Sequence, residues 1–224
     1  MDGPYTRYSR ATLWLLQEGD VPIGGESPDA QPAFEVEVKP FYISRSVITN
    51  EHYAVFRPEH VRLPADAPDE APVVNVSWED AAAYCAWYAA FTGKPFRLPT
   101  EIEWEYAARG EEAGRLFCPE SRIDDFVRHG ENSDGALPVV ETRKANEHGL
   151  FDTLGTVWEW TASSYRPYPA VPGDGRDAED GAEPRVLRGG SFRTPPAEIG
   201  CGVRRHEARS YKADDLGFRI VRSL

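Results

Sequence analysis

VVNVSWEDAAAYCAWYAAFTGKPFRLPTEIEWEYAARG, residues 73–110, carries two helices with their start and stop signals in place. Ser77 followed by Asp80 is a variant capping box, in which the hydroxyl accepts the third helical N–H and the acid reaches back to the cap. Ala81, Tyr84, Cys85, Tyr88 and Phe91 then recur at helical spacing, and Gly93 supplies the stop. Thr100 with Glu103 is a full capping box, and Pro99 turns the chain into it. Trp104, Ala107 and Ala108 share one face of this second helix, and Gly110 ends it.

Working outward, residues 35–39 and 41–44 read as strands, with Val36 and Val38 alternating with charged residues in the first. A short helix is expected after Thr49, with Tyr53 and Phe56 on one face. Beyond residue 115 helical periodicity stops, and short strands are expected at 150–152, 157–160, 186–188 and 218–221. Segments 57–72 and 166–184, rich in Pro, Gly and charge, read as long surface loops, and the acidic stretch 174–183 as a solvated surface. No linker separates two apolar sets, and no repeat is evident. Three short helices followed by an irregular, strand-rich half predict an α+β class with high loop content.

The bulk properties exclude several functions. The 224 residues carry a formal charge of −12, and an acidic field repels nucleic acid and anionic membrane surfaces. No apolar run reaches the length of a membrane span, so no membrane insertion is expected. The N-terminus lacks a basic start leading into a long apolar run, so no signal peptide is read. Cys85, Cys118 and Cys201 are widely spaced without a C-x-x-C pair, which predicts no disulfide framework. Reducing cytoplasm is therefore the default location, with display on a phage or cell surface as the alternative.

The residues also carry a family resemblance. The 73–110 block, FYISRSVITNEHY (41–53), GLFDTLGTVWEWTASSY (149–165), RVLRGGSF (185–192) and DLGFRIV (215–221) resemble, in order, the motifs of the formylglycine-generating enzyme, or sulfatase-modifying factor, family. The resemblance runs from about residue 13 to 224, leaving 1–12 as an N-terminal extension. It implies a C-type lectin-like α+β domain, α+β being also what the residues predict. Fold alone does not give function, because the family includes copper oxidases that convert a peptide cysteine to formylglycine, domains of sulfoxide synthases, and noncatalytic binding proteins. Among the last are the variable proteins of diversity-generating retroelements.

Each class has its residue test. The oxidases hold cuprous copper, a soft ion, on two thiolates five residues apart. The resemblance places Cys201 at the second position, and Pro196, which has no ligand atom, at the first. A copper role thus rests on Cys201 alone, against the alternative of a thiol packed beneath a loop. The sulfoxide synthases hold iron on histidines of a helical domain this chain has no room for, and His52, His60, His129, His148 and His206 form no ligand pair. The resemblance also implies a calcium site at Gly155, Val157 and Glu159, with Thr156 where the family usually has Asn. A carboxylate that satisfies buried donors is the competing account of Glu159. Trp78, Trp87, Trp104, Trp158 and Trp160 fall inside framework motifs and read as core rather than as a sugar-stacking platform.

What remains is the irregular stretch 193–214 within the closing segment 185–224. In retroelement variable proteins diversification falls on this stretch, held by the G-G-S turn and the final G-F-R strand. Arg193, Glu198, Arg204, His206, Glu207, Tyr211 and Lys212 are the side chains suited to recognition there, whereas Arg205, Arg209 and Arg219 fit bracing roles. The leading expectation is a noncatalytic protein that needs no cofactor and binds a protein or small ligand. The alternative is a copper oxidase using Cys201.

Overall fold

The computed structural model describes residues 11–25, 27–110, 114, 116–171 and 173–224. Most of the expected extension, residues 1–10, lies outside them.

Both capping boxes form. Ser77 caps α2 (Trp78–Thr92), which stops at Gly93 in the left-handed region. Thr100 caps α3 (Glu101–Arg109), where Glu103 also binds Arg97 through two hydrogen bonds of 2.6 and 2.7 Å. A third box, unread in the sequence, starts α1 (Asn50–Phe56). There His52 takes the place of the usual acid, its Nδ1 meeting Thr49, and burial pushes its imidazole down to about 4. It is therefore neutral at pH 7 and free to accept. Tyr84, Cys85 and Tyr88 of α2 are buried as the spacing predicts, but Phe91, one turn on, is 47% exposed and stacks on Trp87.

The first sheet orders β1 (Leu13–Leu16), β4 (Phe41–Ser44), β10 (Val221–Ser223) and β5 (Phe96–Arg97), all antiparallel. The last strand thus lies between two early ones, which closes the chain on itself. A hairpin of β2 (Gly19–Ile23) and β3 (Phe34–Val38) stands beside it. The second four-stranded sheet orders β8 (Arg204–Glu207), β7 (Arg185–Arg188), β6 (Trp158–Ser164) and β9 (Leu216–Phe218), with β9 parallel to β6. A short α4 (Ile123–Phe126) lies in the irregular half.

Two strand expectations need correction. Residues 150–152 are irregular rather than a strand, with a bend at Asp152 (φ 58°). The expected strand 218–221 is split, because the chain leaves β9 and joins the other sheet as β10, and Arg219 at the crossing turns into the interior. The main core lies between α1, α2 and the second sheet, and includes Tyr53, Tyr84, Trp78, Trp158, Trp160 and Phe218. The tryptophans expected as core are buried apart from Trp87, which is partly covered.

The interior also holds carboxylates that charge patterning does not reveal. Glu101 and Glu105, one turn apart on α3, are fully buried. Glu101 binds Arg204 from β8 and Arg176 from the loop after β6. Glu105 binds Arg109 of its own helix and Arg188 of β7. Glu159 of β6 binds Arg219 at 2.6 and 2.7 Å and accepts the Trp104 indole N–H at 2.8 Å. A buried charge needs such pairing to be tolerated at all. Here the pairs tie the helix, the second sheet and the long loops to one hub. In the 174–183 stretch Asp177, Glu179, Asp180 and Glu183 are exposed, as a solvated surface requires, but the loop is anchored from beneath. Arg176 is buried, and the carbonyls of Ala178, Glu179 and Gly181 accept from Arg185.

Candidate recognition face

The segment after β7 is clamped along its length. Gly189 (φ 97°) and Gly190 (φ 78°) make the turn that no residue with a side chain adopts easily. A Cβ on Gly189 would lie 2.9 Å from the Thr153 carbonyl oxygen. Ser191 Oγ then donates to Asp215 at 2.7 Å, and Thr194 Oγ1 accepts the Ser191 N–H at 2.9 Å. From across the fold, Gly130 N donates to the Thr194 carbonyl at 2.9 Å and Ser133 Oγ to the Phe192 carbonyl at 2.6 Å. Further on, Trp78 N binds the Arg209 carbonyl and Asn75 N the Ala213 carbonyl.

Between these clamps opens a cleft of about 300 Å³, lined by Leu63, Pro64, Leu137, Phe192, Arg193 and Asp214 among others. Its walls are apolar. Its rim carries the Arg193 guanidinium, paired side by side with the Asp214 carboxylate at 2.5 and 2.8 Å. That bond holds the Asp214 carboxyl below its ordinary range.

The seven expected recognition residues do not form one cluster. Arg193 lines the cleft, and Glu198 is exposed in a short turn nearby in sequence. His206 is exposed on edge strand β8 and stacks on Tyr165, with ring centroids 3.9 Å apart. Glu207 pairs with Arg205 at 2.8 Å, and Tyr211 packs against the main core. Lys212 reaches Asp80, the acid of the α2 capping box, at 2.6 Å. Burial works against the Asp80 charge, but bonds from Lys212, the Ser77 N–H and Arg57 hold its carboxyl far below the usual range.

Arg204 does not belong to the face. Its side chain is buried, salt-bridged to Glu101 and donating to the carbonyls of Asp29 and Arg166. On a sheet edge a polar strand of sequence RRHE hides which residues turn inward. Sequence reasoning also missed the far wall of the cleft, Leu63, Pro64 and Leu137. The Pro-rich composition of 57–72 gave the loop but not the surface it packs beside.

Cys201 is fully buried among Trp104, Ala108, Leu116, Phe117, Val127, Leu154 and Ile199. The thiol has no exposed surface, and Pro196 offers no second ligand. The residues do not fit a two-thiolate copper site. The calcium expectation meets a similar obstacle. Both Glu159 oxygens are taken by Arg219 and Trp104, and a guanidinium beside the carboxylate repels a second cation. Among the described residues no three His, Cys, Asp or Glu side chains converge on one point.

An α+β domain of C-type lectin-like architecture, with its closing segment clamped between loops, defines the class of protein. The chain belongs to the sulfatase-modifying factor enzyme 1-like domain family, whose model matches residues 4–224. It is 36% identical over 216 residues to the formylglycine-generating enzyme of Streptomyces coelicolor, covering 87% of this chain and 65% of that protein. It is 37% identical over 175 residues to the inactive C-alpha-formylglycine-generating enzyme 2 of Mus musculus, covering 69% of this chain and 50% of that one. The chain thus spans half to about two thirds of the length of these curated relatives. Among solved structures, Treponema denticola variable protein 1 superimposes with a TM-score of 0.86 at 22% identity, covering 96% of this chain and 95% of that one, a likeness of fold. Among the described residues no helix is long and apolar enough to cross a membrane.

Proposed function

We propose that this chain is a noncatalytic binding member of its family, presenting a recognition surface built on residues 193–214 to a protein or small ligand. The observation that carries the reading is the state of the family's thiolate pair: Pro196 occupies one position, and Cys201 at the other is sealed in an apolar cluster. One buried thiol cannot bind cuprous ion and a substrate thiolate together. Relatives named inactive occur at an identity similar to that of relatives named as enzymes, so family membership does not oppose the reading.

Loss of the copper site leaves the cleft beside Arg193 and Asp214, the exposed side chains Glu198, His206 and Lys212, and the half-buried Glu207 as the surface offered. A loop surface on a scaffold fixed by buried ion pairs is well suited to recognition, since its side chains change without disturbing the frame. The version in which this surface is diversified by a retroelement has a separate test: a near-copy of the coding DNA for 185–224 beside a reverse transcriptase gene. Without that copy the version is removed and the binding reading stands.

The deciding experiment is a cuprous titration of the purified protein, joined to an assay for oxygen-dependent conversion of a cysteine-containing peptide. The binding reading expects no tight copper and no turnover. Tight binding abolished by Cys201→Ala, together with turnover, establishes the oxidase instead.

A further inference from the structure

A second cavity, away from the 193–214 segment, has a different character. It encloses about 580 Å³ between the β1–β2 connection, the end of α3 and the turn at 147–148. That size is ordinary for a small-molecule site. Its aromatic lining is Trp14, Tyr106 and His148. Tyr106 is fixed, its hydroxyl donating to the Gln17 carbonyl at 2.9 Å, and its ring meets His148 edge-on at 5.2 Å. Trp14 is 44% exposed and lies over Gly149, where a Cβ would meet its indole at 3.0 Å. A glycine there gives the indole its seat.

The charges around the cavity are one-sided. Glu18, Asp20 and Glu147 line it and are exposed. None of the three side chains has a hydrogen-bond or ion-pair partner among the described residues. The one guanidinium in the lining, Arg109, is buried and bonded to Glu105, with contacts of 2.9 and 2.5 Å, so the exposed charges of the lining are all acidic. Three exposed carboxylates without a side-chain partner therefore line the cavity beside its aromatic residues, in a protein of net charge −12.

We infer that this cavity binds an organic cation, either a free alkylammonium compound or the basic side chain of a peptide. Aromatic faces attract a weakly hydrated ammonium through their quadrupole, and the carboxylates add long-range attraction. Anions are repelled, and a neutral ligand of the same shape gains only the apolar contact.

Titration by calorimetry of the full chain with choline, with N-acetyl-lysine methylamide and with 3,3-dimethylbutan-1-ol, the neutral isostere of choline, tests this. Choline or the lysine derivative is expected to bind saturably and the isostere at least about fivefold more weakly. Preference for choline assigns a free ammonium ligand, and preference for the lysine derivative a peptide side chain. Trp14→Ala is expected to weaken the cation at least about fivefold. The combined Glu18→Gln, Asp20→Asn and Glu147→Gln variant changes only exposed groups, so it keeps the test valid if the Trp14 variant fails to fold. It too should lose most of the affinity. The inference is overturned if neither cation binds at millimolar concentration, if the isostere binds equally well, or if the carboxamide variant binds as tightly as the parent. Affinity insensitive to Trp14→Ala in a folded variant overturns it as well, because diffuse attraction to an acidic protein needs no indole.

Discussion

Arg193 and Arg204 are eleven positions apart in one segment and carry the same charge, yet their surroundings give them opposite roles. Arg204 has a buried carboxylate for a partner, and removing it leaves Glu101 with Arg176 alone. Arg204→Ala is therefore expected to destabilise the fold by about 3–5 kcal/mol, the usual result of breaking a buried pair. Arg193→Ala breaks only an exposed pair and should cost about 1 kcal/mol or less. Urea unfolding of both variants reads the difference directly, and equal losses would remove the distinction between frame and face. A second residue tests burial through pH. Desolvation pushes the Asp152 carboxyl up to about 6, against the opposing bonds from the Glu141 N–H and Thr156. Because its folded value is the raised one, its contribution to stability is full below about pH 4 and is lost as pH climbs through 6. Asp152→Asn should flatten that part of the stability profile between pH 4 and 6. An unchanged profile would mean that the carboxyl is not the group responsible.

At the scale of elements, glycines in the left-handed region are not equivalent. Gly93 ends α2 at φ 67°, and a Cβ added there would meet nothing within 4 Å, so Gly93→Ala faces only conformational strain, on the order of 1 kcal/mol. Gly155, at φ 71°, has the Arg128 carbonyl and Val127 directly in the way of a Cβ, at the turn that feeds β6. Gly155→Ala is expected to lose several times more stability than Gly93→Ala in thermal or urea unfolding. The capping boxes at Ser77 and Thr100 and the stop at Gly93 are legible in the sequence, because caps depend on local chemistry, whereas nothing local marks the crowding at Gly155. Strands are less legible. Residues 35–39 alternate and lie within one residue of β3, but RRHE of β8 shows no alternation and does not announce a strand. The buried carboxylates are hidden for a related reason. Glu101 and Glu105 look like helix surface until the arginines of three distant segments are seen to reach them. The cleft at Arg193 is half legible: its near wall follows from the motif, while its far wall, at Leu63 and Pro64, comes from a loop some 130 residues away.

For the whole molecule, the arrangement separates what holds the fold from what faces solvent. The hub of Glu101, Glu105 and Glu159 with their arginines, together with the aromatic core, fixes the second sheet without using Arg193, Glu198, His206 or Lys212. Replacing all four by serine should therefore leave the fold in place. Their partners are solvent-accessible or retain others: Asp80, for example, loses Lys212 but keeps Arg57 and its cap bonds. With exposed pairs contributing about 1 kcal/mol or less each, and a shift of about 2–4 °C per kcal/mol in a domain of this size, the fourfold variant is expected to melt within about 10 °C of the parent. Its near-ultraviolet circular dichroism should be unchanged, because the buried tryptophans report on the frame. Under the binding reading the same variant loses its partner. A melting point far lower, or a collapsed aromatic spectrum, would show that the exposed residues brace the fold, and the surface would then no longer be free to vary as a recognition surface must.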